Sequence, residues 1–213
     1  MKPTAKKPYF TAKTVAALLA GDNRCEASAW IKSRFWYEKR PRSFDFAAWQ
    51  DDHNAMVSRH ADQLRMKGYI VTLEGQNSFK LEGEKAVFAG KADIVAVKGE
   101  TVLIPDCKTG TQRTTDWWQV LIYMACYPLD KAHAAVCLGK TISGEIAYTN
   151  GVIEIPPSDL TPERRDAIFA KIRELSRVEP YPMTPSKQEC EFCDIAECQS
   201  RMLPTEPTKV TEF

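Results

Sequence analysis

The sequence predicts an α/β fold, a mixed central sheet with helices packed on its faces. Three observations carry that expectation. Helical spacing of apolar residues fills the stretch up to residue 67 and returns near 115–127 and 158–178. Between these stretches lie short β-branched and aromatic segments punctuated by Gly and Asn. The chain of 213 residues, 44% hydrophobic and 10% aromatic, is long enough to bury a core between layers.

The elements follow in chain order. Residues 1–10 are basic and predict no regular element. Thr11 to Ala20 reads as a short helix stopped at Gly21. Its apolar run, Thr14 to Ala20, is at the very bottom of the length range of a secretory leader, carries Lys13 at its edge and is followed by charged, aromatic sequence, so a helix is the expectation. Residues 24–39 read as a second helix, broken by Pro41. A long third helix is expected from about Phe44 to Lys67, closed by Gly68. Its apolar stripe is Phe46, Trp49, Met56, Val57 and Leu64, with His53 and His60 on the same stripe. "YIVTLEG", "SFKLEG", "AVFAGKADIVAV" and "ETVLIPDCK" then predict a β-meander. A helix from about Thr115 to Tyr127 stops at Pro128, and "AHAAVCLG" reads as a further strand. "SGEIAYTNGVIEIPP" predicts a hairpin turned at Asn150-Gly151. Residues 158–178 open with capping residues and place Leu160, Ala167, Ile168, Ile172 and Leu175 at helical spacing. The tail, 179–213, is rich in Pro and carries three clustered cysteines.

Composition narrows the function classes. A formal net charge of +1 means that any nucleic acid must be held by local basic patches. No apolar run approaches the 18 or so residues of a membrane span. Seven cysteines, an odd number and without a secretory leader, argue against a disulfide framework. A cytoplasmic protein without a membrane partner is the expectation.

Two acids attract attention because each is expected in, or at the end of, a strand. They are Asp93 in "GKADIVAV" and Asp106 in "TVLIPD". With the turn near Lys98 to Glu100, the two return to about the same height on neighbouring strands. Carboxylates so placed repel unless a cation lies between them. Lys108, two residues beyond Asp106, leaves the strand on the same face. Two acids and a lysine on one face suit a hard divalent cation, magnesium or manganese, and a water. The plainer alternative has Asp106 capping a turn and Asp93 facing solvent.

At these residues the chain resembles the PD-(D/E)XK nucleases and, within them, the RecB-like branch. Asp93 takes the first acidic position and Asp106-Cys107-Lys108 the (D/E)-X-K, so the literal Pro105-Asp106 is coincidence. The resemblance implies a restriction-endonuclease-like core. It also implies that Cys107 offers only its backbone carbonyl to the metal. The branch's Q-x-x-x-Y motif is matched by Gln119 and Tyr123, whose i, i+4 spacing puts amide and phenol on one helical face. They would position the DNA backbone or the lysine; a core helix with unrelated partners is the alternative. The branch's upstream histidine ligand maps to His53, with His60 the other candidate or a hydrogen-bonded residue of the packed face.

Cys190-x2-Cys193-x4-Cys198 is one thiol short of a closed four-ligand site. Several RecB-like nucleases, including the AddB subunit and the CRISPR-associated adaptation nucleases, take a fourth ligand from an N-terminal helix and hold a [4Fe-4S] cluster. Cys25 sits where that ligand is expected, and zinc on the same four thiols is the rival. The resemblance thus implies one nuclease domain over 1–213, with 44–178 its core and 1–43 and 179–213 stapled by the cluster. Cys126 and Cys137 lie in apolar segments and read as core. "WIKSRFWYEKRPR" interleaves aromatics with cations, which suits single-stranded DNA or an amphipathic helix with a solvated basic face. Arg34, Trp36 and Arg40 there, and Arg113 and Trp117 beside the later helix, are the candidate DNA contacts.

The resemblance implies a metal-dependent deoxyribonuclease, an exonuclease on single-stranded DNA or DNA ends. Asp93, Asp106, the Cys107 carbonyl and His53 would hold Mg2+ or Mn2+, and Lys108 would orient or deprotonate the attacking water. The context would be recombination, repair, phage or CRISPR adaptation, with partner proteins from those systems. No G-x-x-x-x-G-K-[ST] motif is present, so a helicase motor would be another chain. The alternative is a cluster-bearing DNA-binding module, or a subunit of a helicase-nuclease or CRISPR complex without cleavage of its own.

Overall fold

The computed structural model describes residues 2, 3, 7–23, 25–40, 45–177, 179, 186–198, 201 and 202. The chain opens with β1 (Lys2–Pro3), β2 (Tyr9–Thr11) and helix α1 (Ala12–Leu19). Thr11 caps α1 by accepting from the Thr14 amide, and Gly21 turns the chain away at φ +78°, a conformation costly for other residues. α2 (Glu26–Arg34) is shorter than the expected 24–39 because Phe35 and Trp36 become β3 (Phe35–Trp36), paired with β1. α3 (Phe46–Met66) is capped by Asp45 and closed by Gly68 at φ +83°.

β4 (Ile70–Leu73), β5 (Ser78–Glu82), β6 (Val87–Lys91), β7 (Ile94–Lys98) and β8 (Thr101–Lys108) follow, then α4 (Thr114–Cys126). These strands do not make the simple meander expected. β4 pairs with β7, whereas β5 and β6 leave to form a small sheet with β2, in the order β2-β6-β5. "AVFAGKADIVAV" therefore serves two sheets, broken at Ala92-Asp93. "AHAAVCLG" is not a strand: its centre is the short helix α5 (Ala134–Cys137). Asp130 directs it, accepting from the Ala132 amide at 2.7 Å through Oδ1 and from the Ala134 amide at 2.8 Å through its carbonyl. β9 (Thr141–Tyr148) and β10 (Gly151–Ile155) form the expected hairpin, with Thr149-Asn150 as the two-residue turn, one residue earlier than the expected Asn150-Gly151. α6 (Pro162–Leu175), capped by Thr161, and α7 (Lys187–Phe192) complete the described elements.

The main sheet runs β10-β9-β8-β7-β4. It is mixed, as expected: β8 and β9 are parallel and the other neighbours antiparallel. Alternation along β8 assigns its two faces. Val102 and Ile104 enter the larger core with α1, α4 and α6, whereas Leu103 and Cys107 enter the smaller core under α3. On the α4 side the packing is close. A Cβ on Gly144 of β9 would stand 2.2 Å from Val120 Cγ1, so only glycine lets α4 approach. On the α3 side, buried His60 and Glu145 are hydrogen-bonded through Nε2 and Oε1 and tie the helix to β9. The helix stripe is buried only in part: Met56, Val57 and Leu64 are core, while Phe46 and Trp49 are exposed. No helix among the described residues is long and apolar enough to cross a membrane.

Candidate functional site

The end of β8 is where the chemistry collects, because a helix on each face of the sheet delivers side chains to it. The β7–β8 register pairs Ala96 with Leu103 and, continued outward, sets Asp93 level with Asp106. Asp93 lies just before β7, at the break between the two sheets, and not within a strand. There its Oδ2 accepts from the Cys107 amide at 2.8 Å. The break thus frees Asp93 from strand geometry and lets it bridge to β8.

Asp106 points to the α4 side and is 1% exposed. Its Oδ2 meets the Lys108 ammonium at 2.6 Å, and its Oδ1 accepts from Gln119 Nε2 at 3.3 Å. Gln119 Oε1 accepts in turn from Lys108 Nζ at 3.3 Å. Gln119 Nε2 also donates to Tyr123 Oη at 2.7 Å, and Tyr123 donates to the Lys91 carbonyl at 2.9 Å. The i, i+4 pair on α4 is therefore spent on one continuous network with Asp106 and Lys108. Burial pushes the Asp106 carboxyl up to about 6, with the Asp93 carboxylate adding to the rise and the Lys108 ammonium opposing it. Burial lowers the Lys108 ammonium, but its pairing with Asp106 outweighs this and raises it overall. Tyr123 is pushed far up by burial.

From the α3 side comes His53. Its Nε2 lies 3.6 Å from Asp93 Oδ1 and 3.8 Å from Glu74 Oε1. The nearby Asp93 carboxylate holds His53 above the ordinary imidazole range, against the effect of burial. His53, Glu74 and Asp93 offer ligand atoms all within 4.8 Å of one another, the arrangement that a divalent cation needs. Asp106 is not part of this trio; its carboxylate is turned to Lys108 and Gln119. Its Oδ2 has the Lys108 ammonium as its partner, at 2.6 Å. A buried oxygen so placed, beside a carboxylate–imidazole trio, suits a hard cation with oxygen and nitrogen ligands. Cys107 turns its side chain to the α3 core, where burial pushes the thiol far up, so the thiol has no part in the site.

Glu74 was not singled out from the sequence. It sits in the 3-10 turn Glu74–Gln76 that follows β4. Asn77, fully buried, builds that turn by donating to the Thr72 carbonyl and accepting from the Thr72 hydroxyl. The Glu74 amide donates to the Asp93 carbonyl, which ties the two acids together. An acid before Gly75 at a strand end was the available signal, and it is a weak one. His60, the other histidine considered, is engaged with Glu145 in the helix–sheet interface.

Arg113 lines the cleft of about 870 Å3 that contains the trio and Lys108, along with Lys13, which the sequence did not flag. The other four candidate DNA contacts do not line it. Arg34 donates to the carbonyls of Leu175 and Arg177 at 2.9 and 2.6 Å, tying α2 to the end of α6. Arg40 donates to the Cys190 and Glu191 carbonyls. Trp117 packs on the core beneath Arg164. Trp36 is 70% exposed at β3.

A second cavity, of about 1060 Å3, is lined by Cys25, Cys190, Cys193 and Cys198 together. Residues about 165 positions apart are joined there by backbone and side-chain bonds. The Cys25 amide donates to Glu189 Oε1 at 3.1 Å, and Lys39 and Ile195 form an antiparallel bridge. The Met202 amide donates to Cys190 Sγ at 3.4 Å. Arg201 brackets the loop by donating to the carbonyls of Cys190, Cys193 and Ile195. The four cysteines share one cavity, but, among the described residues, their sulfurs do not gather as closely as the ligand atoms of His53, Glu74 and Asp93 do. Cys126 and Cys137 are buried in the larger core, as expected.

No curated protein matches this chain. Among solved structures, the crystal structure of SSO0001 is similar at TM-score 0.53 and 12% identity, over 94% of this chain and 90% of that one. At that identity the likeness concerns the fold alone. The sequence model of the PD-(D/E)XK nuclease superfamily matches residues 12–198, from the start of α1 to the last cysteine. With that match spanning both the acidic hairpin and the cysteine tail, the chain belongs to the PD-(D/E)XK nuclease superfamily, whose members are nucleases that use divalent metals.

Proposed function

We propose that the chain is a RecB-like exonuclease that hydrolyses phosphodiester bonds of single-stranded DNA or DNA ends. The observation that carries this is the network Lys108–Asp106–Gln119–Tyr123, linked through the Cys107 amide to the His53–Glu74–Asp93 trio. The superfamily provides for nuclease chemistry, and the proximity of these residues supports their part in it.

Asp93, Asp106, His53 and the Cys107 carbonyl would hold Mg2+ or Mn2+, with Glu74 as a further ligand. When bound, the cation supplies Lewis acidity toward the phosphate and a water acidic enough to attack near neutral pH. Asp106 and Gln119 hold the Lys108 ammonium at the edge of the cleft, where its charge orients the water and offsets charge developing on the phosphate; the pairing with Asp106 keeps it protonated, which disfavours the alternative role of base. Tyr123, anchored to the Lys91 carbonyl, keeps Gln119 in register. Arg113 holds the strand's phosphates at the cleft wall.

Cys25, Cys190, Cys193 and Cys198 would hold a [4Fe-4S] cluster. That the four cysteines line one cavity supports a shared centre, with zinc on the same four thiols as the rival. Its role is structural, since hydrolysis transfers no electron. It staples 1–43 and 179–213 to the nuclease core, 44–178, within one domain. The proposed setting is the cytoplasm, in a recombination, repair, phage or CRISPR-adaptation context. Cleavage of end-labelled DNA in Mn2+ tests the reading: Asp106→Ala and Lys108→Ala should abolish cleavage in a folded protein. Protein prepared without oxygen should be brown; a colourless preparation containing zinc would replace the cluster assignment.

A further inference from the structure

The aromatic stripe of α3 was expected to be core, yet its first two members are not buried. Phe46 is 62% exposed and Trp49 is 36% exposed. The rings nonetheless pack in series. Phe46 and Trp49 lie 5.5 Å apart between centroids at 38°, and Trp49 stacks on His53 at 5.3 Å and 16°. The series Phe46, Trp49, His53 has spacings of three and four residues, so one helix face carries the rings from solvent to the cation-binding trio. Trp49 and His53 line the same cleft, whose other lining residues include Tyr9, 50% exposed, and the cations Lys13 and Arg113. Large apolar rings left in contact with water beside a reactive site mark a binding surface more than a core. Cations and aromatic rings lining one cleft are the two components of single-strand recognition: charge for the backbone and rings for the bases.

We infer that Phe46 and Trp49 form a stacking platform for an unpaired nucleobase beside the cation-binding His53–Glu74–Asp93 trio, so that the cleft selects single strands. The inference rests on the nuclease reading above and adds to it the residues that choose the substrate. A base inside a duplex is already covered on both faces and cannot offer one to Trp49. An unpaired base can, and every base has such a face, so the platform discriminates strandedness and not sequence.

The test separates stacking from a merely structural role of Trp49 beside His53. Binding of a short oligothymidine is read by fluorescence anisotropy in EDTA, and cleavage is read separately in Mn2+. The oligomer is used intact and with one abasic residue placed at successive positions. In the wild type, one abasic position should weaken binding by about 5- to 150-fold, the range of one base–aromatic stack. Trp49→Ala should weaken binding of the intact oligomer by the same factor, show no further loss with the abasic one, and be rescued by Trp49→Tyr. Phe46→Ala, at the more exposed ring, should give a smaller loss at the same position and serves if Trp49→Ala disturbs α3. Equal losses from Trp49→Ala on intact and abasic oligomers would overturn the inference, because the ring would then act only by holding His53. So would wild-type binding insensitive to every abasic position. Absence of any cleavage by the wild type in Mn2+ would instead overturn the nuclease reading, with the binding arm still deciding the platform.

Discussion

Asp106 is the acid whose ionisation the fold opposes most. Burial under α4 raises its carboxyl from 3.8 to about 6. In the metal-free protein the folded state therefore keeps a proton that the unfolded chain has already lost. This favours folding fully at pH below the unfolded value and is lost as pH rises through about 6. Taken at about 1.4 kcal/mol per tenfold change in proton affinity, the swing is about 3 kcal/mol. For a chain of this size that corresponds to about 6–12 °C in Tm. The assay is thermal unfolding in EDTA from about pH 4 to about pH 8, on the wild type and Asp106→Asn, so that carboxylates titrating in both proteins cancel. Asp106→Asn should gain stability relative to the wild type as pH rises through about 6. Saturating Mg2+ should stabilise the wild type most at the upper end, because a cation competes with the proton for this oxygen. A difference between the two proteins that does not change with pH refutes the reasoning.

Further outcomes follow from other contacts. Mn2+ at about a hundred times its Kd should stabilise the wild type by about 2.7 kcal/mol, a rise of about 5–11 °C, and Glu74→Gln should need more Mn2+ for the same rise in thermal unfolding. Gly144→Ala should cost about 1–3 kcal/mol in urea unfolding and reduce cleavage, since the new Cβ at 2.2 Å from Val120 Cγ1 pushes away the helix bearing Gln119 and Tyr123. Cys190→Ser should remove the visible absorbance of protein prepared without oxygen and lower its Tm, because the clip closing the loop of about 165 residues is lost.

Much of the site was legible because strand and helix periods are short-range rules. The turn at Gly99-Glu100 fixed the register that sets Asp93 level with Asp106, and alternation along β8 sent Cys107 to the opposite face from Asp106 and Lys108. Four residues on a helix necessarily bring Gln119 near Tyr123. What was not legible depends on contacts far apart in sequence. Glu74 reaches Asp93 only because a buried Asn77 folds the chain back after β4. The split of residues 86–97 between two sheets depends on β2, which claims β6 from about 80 residues away in sequence. "AHAAVCLG" was misread because its alanines suit either state, and the Asp130 turn tips the balance to a helix. The exposure of Phe46 and Trp49 breaks the rule that an apolar stripe is core. Such a departure is expected where a surface is kept for a ligand. The basic-aromatic segment was compatible with a DNA grip or with an amphipathic helix with a solvated basic face; two of its cations, Arg34 and Arg40, donate to backbone carbonyls of α6, its following residues and the cysteine tail, a use that composition cannot show.

The most direct test of the central claim is a time course on single-stranded and duplex DNA labelled at either the 5′ or the 3′ end, in Mn2+ and in EDTA, with the wild type and Lys108→Ala. The account predicts progressive shortening of the single strand by the wild type in Mn2+ alone, and none by a folded Lys108→Ala protein. Equal cleavage by the two proteins, or cleavage that persists in EDTA, would contradict it.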